Sequence, residues 1–259
     1  MKHFIFYFSV LVLTALMVLV IRNNEIKVSP KMITVAKYYS YLYSEDQMIK
    51  IPIYLNVKDH PLSVIESYEQ TYIANDLETK KLALELVSIE AFGMESYLND
   101  AYQIYHLTFK MPYLGYDYYI EDCFLTMILG NDQIIKAYIG KMSLVYLEGD
   151  SNLLHWTSLS GIKKENSFLS RIYEIHVRFD RKDSNIEQIM IGYDLDVTYK
   201  IENSIIIITI PEESYLLDNV FLLITFSNNE RQGIMNFRYI TDYYILKESG
   251  PLIYTYALD

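Results

Sequence analysis

Between Met48 and Val57 every second residue is aliphatic. Ile49, Ile51, Ile53, Leu55 and Val57 fall on one side of an extended chain, and Lys50, Pro52, Tyr54 and Asn56 on the other. A period of two over this length cannot form one face of a helix, whose period is 3.6, so the segment is a half-buried strand. The alternation recurs in Arg171–Phe179, with Tyr173, Ile175, Val177 and Phe179 inward. It recurs again from Ile186 to Tyr199 through Ile189, Ile191, Tyr193, Leu195 and Val197. Pro52, which has no N–H to donate, marks an edge or an outward-facing backbone position. Phe124–Leu129 and Ser204–Pro211 are almost continuously apolar, as expected of strands covered on both faces. Residues 76–92 contain strong helix formers behind the cap residues Asp76 and Thr79. Leu82, Leu84 and Leu86 nevertheless alternate there, and the segment is read as strand. Asn-, Asp-, Gly- and Ser-rich turns at 44–46, 130–132, 181–185, 202–203 and 228–229 separate these runs. The chain is therefore expected to be all-β.

Two segments echo one another. Tyr119–Gln133 and Leu216–Glu230, offset by 97 residues, both run through an acid, a polar residue, a small apolar residue and Phe-Leu. A mostly apolar stretch follows, then a small residue, Asn and Asx. Ile51–Asp59 and Ile175–Asp183, offset by 124, match in their apolar positions and in a closing Lys-Asp. The two offsets differ by 27 residues, so the first copy must hold extra chain between its matched strands, and 74–101 supplies it. Two tandem immunoglobulin-like β-sandwiches of about 100 residues each fit the length. The expected organisation is a membrane anchor at 1–24, one sandwich at 25–148, and a linker with a second sandwich at 149–259. Buried strands that end in Asx turns resemble one another in any case, so the tandem architecture is a firmer expectation than a duplication. The echo places Phe124 and Phe221 in equivalent central strands, each in its own core. Within the junction segment Glu148–Gly161, the cluster Leu153, Leu154 and Trp156 is expected to dock against a sandwich.

Phe4 to Ile21 is an eighteen-residue apolar run broken only by Ser9 and Thr14, with Phe4, Leu11, Leu13, Leu16, Leu19 and Ile21 among its lipid-facing candidates. As a helix it would span about 27 Å, close to the thickness of a hydrocarbon core. A cleaved signal peptide has an apolar region of about 7–15 residues followed by an A-x-A-like site, and Ile21–Pro30 offers none. The expectation is a retained single-pass anchor with the C-terminal domains outside the cytoplasmic membrane of a cell envelope. The flanking charges are equivocal, since Lys2 lies before the run and Arg22, Lys27 and Lys31 after it.

A net charge of −11 argues against nucleic acid, whose phosphates need clustered Lys and Arg, and against a domain lying on anionic headgroups. The 26 tyrosines suit strand surfaces. The single cysteine, Cys123, has no intramolecular partner for a disulfide and sits in an apolar stretch.

No metalloprotease, nucleophile-elbow, P-loop or dinucleotide motif occurs, and His3, His60, His106, His155 and His176 lack metal-ligand spacing. No cofactor is expected. The best carboxylate candidate assumes that 171–180 and 186–197 form a hairpin, which would put Glu174, Asp194 and Asp196 on one polar face. Such a face supplies too few oxygens for Ca²⁺, which takes 6–8 ligands, so an ordinary acidic surface is the default. The expected role is binding or assembly beside a protein partner, as an accessory subunit of an envelope, transport or secretion complex, with no enzymatic activity. The alternatives are an anchored hydrolase drawing on His106, His155 and distant carboxylates, and a carbohydrate-binding module with coplanar exposed tyrosines. Mass spectrometry of the mature protein should recover an intact N-terminus. A start near Asn23 or Asn24 would overturn the retained anchor.

Overall fold

The computed structural model describes residues 29–43, 48–147, 152–163, 172–211, 217, 220–234 and 245–258, together with Tyr7, Leu11, Thr14 and Met17. The expected turn at 44–46 and the first residues of the junction segment, 148–151, lie outside these. So does most of the expected anchor, including Phe4, Leu13, Leu16, Leu19 and Ile21. Tyr7, Leu11, Thr14 and Met17 are helical and exposed, and the Thr14 hydroxyl donates to the Leu11 carbonyl at 3.0 Å. Among the described residues, no helix is long and apolar enough to cross a membrane.

The first group of strands comprises β1 (Lys31–Val35), β2 (Lys37–Tyr43), β3 (Met48–Leu55), β4 (Tyr68–Ala74), β5 (Lys81–Tyr97), β6 (Asp100–Lys110), β7 (Tyr118–Leu129) and β8 (Ile134–Tyr146). The second comprises β9 (Leu154–Lys163), β10 (Ile172–Lys182), β11 (Ile186–Ile191), β12 (Leu195–Asp196), β13 (Thr198–Glu202), β14 (Ile205–Thr209), β15 (Leu222–Phe226) and β16 (Arg231–Ile234). A short helix α1 (Ile245–Glu248) and β17 (Ile253–Ala257) close the chain.

Strand order carries the fold assignment. The second group forms one sheet β13-β14-β10-β9 and a second sheet β12-β11-β15-β16. Lettered in chain order, these are D-E-B-A and C′-C-F-G, the connectivity of an immunoglobulin-type sandwich. The first group runs β17-β1-β3-β6-β5-β4-β7-β8-β2. Here β1-β3-β6-β5 is A-B-E-D and β4-β7-β8 is C-F-G. The seventeen-residue β5 bridges the two halves, pairing through Lys81–Leu84 with β4 and through Glu85–Tyr97 with β6. The A strand changes sheets at Ala36: β1 pairs antiparallel with β3, and β2 pairs parallel with β8. Pro52 lies where the β1–β3 ladder, which reaches only Tyr54 and Leu55, has ended.

Both echoes fall on topologically equivalent strands: Ile51–Asp59 and Ile175–Asp183 begin in the B strands β3 and β10, and the other pair comprises the F strands with their turns. After β7, the N–H of Leu129 donates to Gln133 O at 3.0 Å and the Gln133 N–H donates to Asn131 Oδ1 at 3.2 Å. After β15, Phe226 donates to Glu230 O at 2.9 Å and Glu230 to Asn228 Oδ1 at 3.2 Å. Asp132 and Asn229 both adopt the left-handed backbone, at φ 62° and 64°, which Asx tolerates. Most of the extra residues of the first copy lie in the long β5–β6 hairpin, whose strands have 17 and 11 residues where their counterparts β13 and β14 have five each.

The inward residues of the echo are Leu125, Met127 and Leu129 in the first core and Leu222, Ile224 and Phe226 in the second. This corrects the expectation for the phenylalanines. Phe124 faces outward with the Lys136 ammonium 4.6 Å from its ring centroid, and Phe221 is buried with Val145 and Leu223 between the two groups. A second correction concerns β10 and β11, which do not form a hairpin. Both edges of β10 are occupied, by β9 and β14, so the chain crosses to the opposite sheet at 183–185. A third concerns the domain boundary, because β17 leaves the second group and pairs with β1 over Lys31↔Ala257 to Val35↔Ile253. Leu154 enters the second core as expected, whereas Trp156 stays exposed on β9.

Met127→Ala should cost about 2–5 kcal/mol through lost transfer energy and an unfilled cavity. Phe124→Ala should cost well under half of that, since the ring is only partly buried. Chemical denaturation of the two variants checks the order, and equal losses would put Phe124 in the core after all.

Candidate functional site

The carboxylates singled out from sequence do not meet. Glu174 lies on β10 and pairs with the His176 imidazole, Nε2 to Oε1 at 2.6 Å. Asp196 lies on β12 in the opposite sheet and accepts from Gln188 Nε2 at 2.6 Å. Asp194 sits in the turn after β11, where the backbone of Gly192 is left-handed at φ 64°. Among the described residues no three His, Cys, Asp or Glu side chains cluster in a way that would hold a metal ion.

Asp194 instead anchors the contact between the two groups of strands. Its Oδ1 accepts from the Tyr38 hydroxyl at 2.7 Å, and its Oδ2 from the Tyr119 hydroxyl at 2.9 Å. The Lys141 ammonium reaches Oδ2 at 3.1 Å and Oδ1 at 3.3 Å, and lies 4.2 Å from the centroid of the Tyr38 ring. The Tyr38 hydroxyl also accepts from the Tyr193 N–H at 2.8 Å. Tyr38, Tyr119 and Lys141 belong to β2, β7 and β8 of the first group, Tyr193 and Asp194 to the second. A Cβ at Gly192 would stand 2.4 Å from the Tyr38 oxygen, and one at Gly233 2.1 Å from a Leu42 methyl. Both glycines are therefore what lets β2 lie against the second sandwich. A second ion pair joins Arg231 Nη1 to Asp117 Oδ2 at 2.7 Å, and the guanidinium also donates to the Tyr146 carbonyl at 2.8 Å. Between the polar contacts, Val145, Phe221 and Leu223 pack with Leu42, Leu147 and Met190.

Burial alone would raise the Asp194 carboxyl. The hydrogen bonds from Tyr38 and Tyr119 and the Lys141 charge outweigh it and hold the group below its ordinary 3.8. Burial, together with that neighbouring carboxylate, holds both phenols above their usual range. Asp194 is thus an ionised acceptor facing three donors, a poor general base and a filled ligand. The arrangement locks two sandwiches together.

The raw material for hydrolysis is dispersed. His106 stacks on Phe92 with centroids 4.9 Å apart and 18° between planes. His155 meets Asp180 at 3.3 Å on the surface. His60 is buried, its Nδ1 accepting from the Leu62 N–H at 3.2 Å, and burial lowers its pKa. His3 lies outside the described residues. Burial pushes the Cys123 thiol far up, so it is inert as a nucleophile. The ring pairs Tyr119–Tyr193 and Tyr116–Tyr118 are inclined at 32° and 62°, so neither pair is coplanar.

No protein-family model matches the sequence, and no curated protein matches it. Similar solved structures include the Bacteroides ovatus mixed-linkage glucan utilization locus protein SGBP-B in complex with a mixed-linkage heptasaccharide. It is 10% identical over 76% of this chain and 44% of that one, with a TM-score of 0.22. The fibronectin(III)-like modules of Clostridium thermocellum CbhA are 10% identical over 78% and 90% of the two chains, at 0.19. Murine CEACAM1b is 12% identical over 79% and 98%, at 0.21. At these scores none bears on this chain's ligand, and the fold rests on the strand order described above.

Asp194→Asn would remove the carboxylate charge that faces the buried Lys141 ammonium. Breaking such a pair costs about 3–5 kcal/mol when buried, and the lower end applies because the Asp194 side chain is 33% exposed. A depressed carboxylate contributes stability that is present above its ordinary 3.8 and lost as pH falls through its folded value. Thermal unfolding of wild type should therefore lose stability below about pH 3.8 through this group, and that part of the loss should be missing in the asparagine variant.

Proposed function

We propose that this protein is a single-pass, membrane-anchored binding or assembly protein that presents two joined immunoglobulin-type sandwiches outside the cytoplasmic membrane. It serves as an accessory subunit of a larger envelope, transport or secretion complex. The observation that carries the binding role is the outer edge of β5. From Glu85 to Tyr97, among the described residues, this strand pairs only with β6, and Val87, Phe92 and Met94 along it and Leu98 at its hairpin turn stand exposed, Phe92 by 74% and Leu98 by 79%. Folded proteins blunt long edges with charge, proline or a covering element, because bare backbone donors and acceptors template pairing with another chain. An extended segment of a protein partner added to this edge would satisfy its backbone and cover its apolar side chains together. The anchor itself rests on the Phe4–Ile21 run.

A photo-crosslinking residue at Phe92, in the full chain in its own membrane, should capture one discrete protein adduct. The same residue at Lys200, on a solvated strand, should not. Equal labelling at both positions would overturn the binding edge.

A further inference from the structure

The C-terminal segment behaves as a strap belonging to the first sandwich, although it follows the second. Besides the five-residue β1–β17 ladder, the Ala36 N–H donates to Leu252 O at 2.8 Å and the Leu258 N–H to Pro30 O at 2.9 Å. The Tyr256 hydroxyl accepts from the Tyr138 N–H at 2.7 Å. Leu258 enters the first core, and Leu246 packs over Ile33, Val35, Tyr54, Tyr102 and Ile104 on the outer face of β1-β3-β6. The Leu246 N–H donates to Glu95 Oε2 at 2.7 Å, where burial raises the carboxyl's pKa.

Two features make this strap exchangeable between copies. Among the described residues β17 pairs on one side only, so its departure breaks a single ladder. Its removal bares an apolar face and the Leu258 slot, which need an occupant carrying apolar residues at the spacing of Leu246 and Leu258. A second copy of this chain supplies that occupant with every contact preserved.

We infer that β1 and the face beside it form a strand-acceptor groove, filled in the monomer by the chain's own residues 245–258 and in a reciprocal dimer by those of a second copy. The inference rests on the binding-or-assembly reading and names a second copy as one of the partners. Closure within one chain is favoured by an effective concentration on the order of millimolar, so exchange gains ground where copies are crowded, as in the plane of a membrane.

The β1–β17 register supplies the test. Hydrogen bonds join the Ala36–Leu252 and Pro30–Leu258 pairs, so Lys31 and Ala257 form a non-hydrogen-bonded pair, whose Cα atoms lie about 4.5 Å apart, within disulfide range. Full-length Lys31→Cys and differently tagged Ala257→Cys proteins are mixed, concentrated and oxidised; buried Cys123 does not compete. A reducible mixed dimer is expected. The double variant, oxidised when dilute, should be a cis-locked monomer that no longer dimerises on concentration. A mixture that stays uncrosslinked while the double variant closes on itself overturns the groove's exchange, as does a locked protein that dimerises like wild type. Should either cysteine impair folding, light scattering on the unmodified chain decides: a concentration-dependent dimer is expected, and a monomer at every concentration sinks the inference. Loss of the Phe92 adduct would instead remove the partner-binding reading and leave the strap result unaffected.

Discussion

The relation between the two sandwiches depends on one partly buried carboxylate. Asp194 gathers Tyr38, Tyr119 and Lys141 from three strands of the first group while standing in a turn of the second. A lysine as buried as Lys141 is costly unless it is paired, and a phenol as enclosed as Tyr38 needs a partner for its hydroxyl. Each group removes the other's desolvation penalty only when the sandwiches are seated in this one orientation. The Asp117–Arg231 pair and the apolar contacts around Val145 and Phe221 then add area at that fixed geometry.

That seating explains several otherwise unrelated residues. Gly192 and Gly233 keep open the space that Tyr38 and Leu42 fill. Tyr38 is counted in the second core although its strand belongs to the first group. Phe221, which the echo pairs with the outward Phe124, is buried because a neighbour covers that face. Two sandwiches of one topology thus differ where they touch, and the interface makes a core position of one that is at the surface in the other sandwich.

The chain's end performs a related task elsewhere. The A-B-E-D sheet of the first sandwich has its outer face covered by α1 and its A-strand edge extended by β17, so the molecule closes on itself near its first described strand. No strand comparable to β17 lies beside β9 among the described residues. Among the described residues the apolar stretch of β5 keeps an open edge, and the proposed assembly role rests on it.

Periodicity determined most of the local structure, because alternation is written into consecutive residues and follows from backbone geometry, but the run read from Ile186 to Tyr199 is broken by a turn at 192–194, where Gly192 is left-handed. Ile49 to Leu55, Ile175 to Val177, Ile189 to Ile191 and the ambiguous Leu82–Leu86 all lie in strands. The matched Asn-Asx turns at 131–132 and 228–229 were legible for the same reason, since side-chain hydrogen bonds within four residues depend on nothing distant. Pairing was not legible. Nothing in the segment 171–197 distinguishes a hairpin from a crossover between sheets, because that choice rests on β14 and β9 competing for the edges of β10. The same limit misplaced Glu174, Asp194 and Asp196 on one face and hid the lock at Asp194. Its partners are separated from it by 156, 75 and 53 residues. Local chemistry selects strands and turns, whereas the meeting of those side chains exists only after two sheets have closed and docked, so only the tertiary structure decides it.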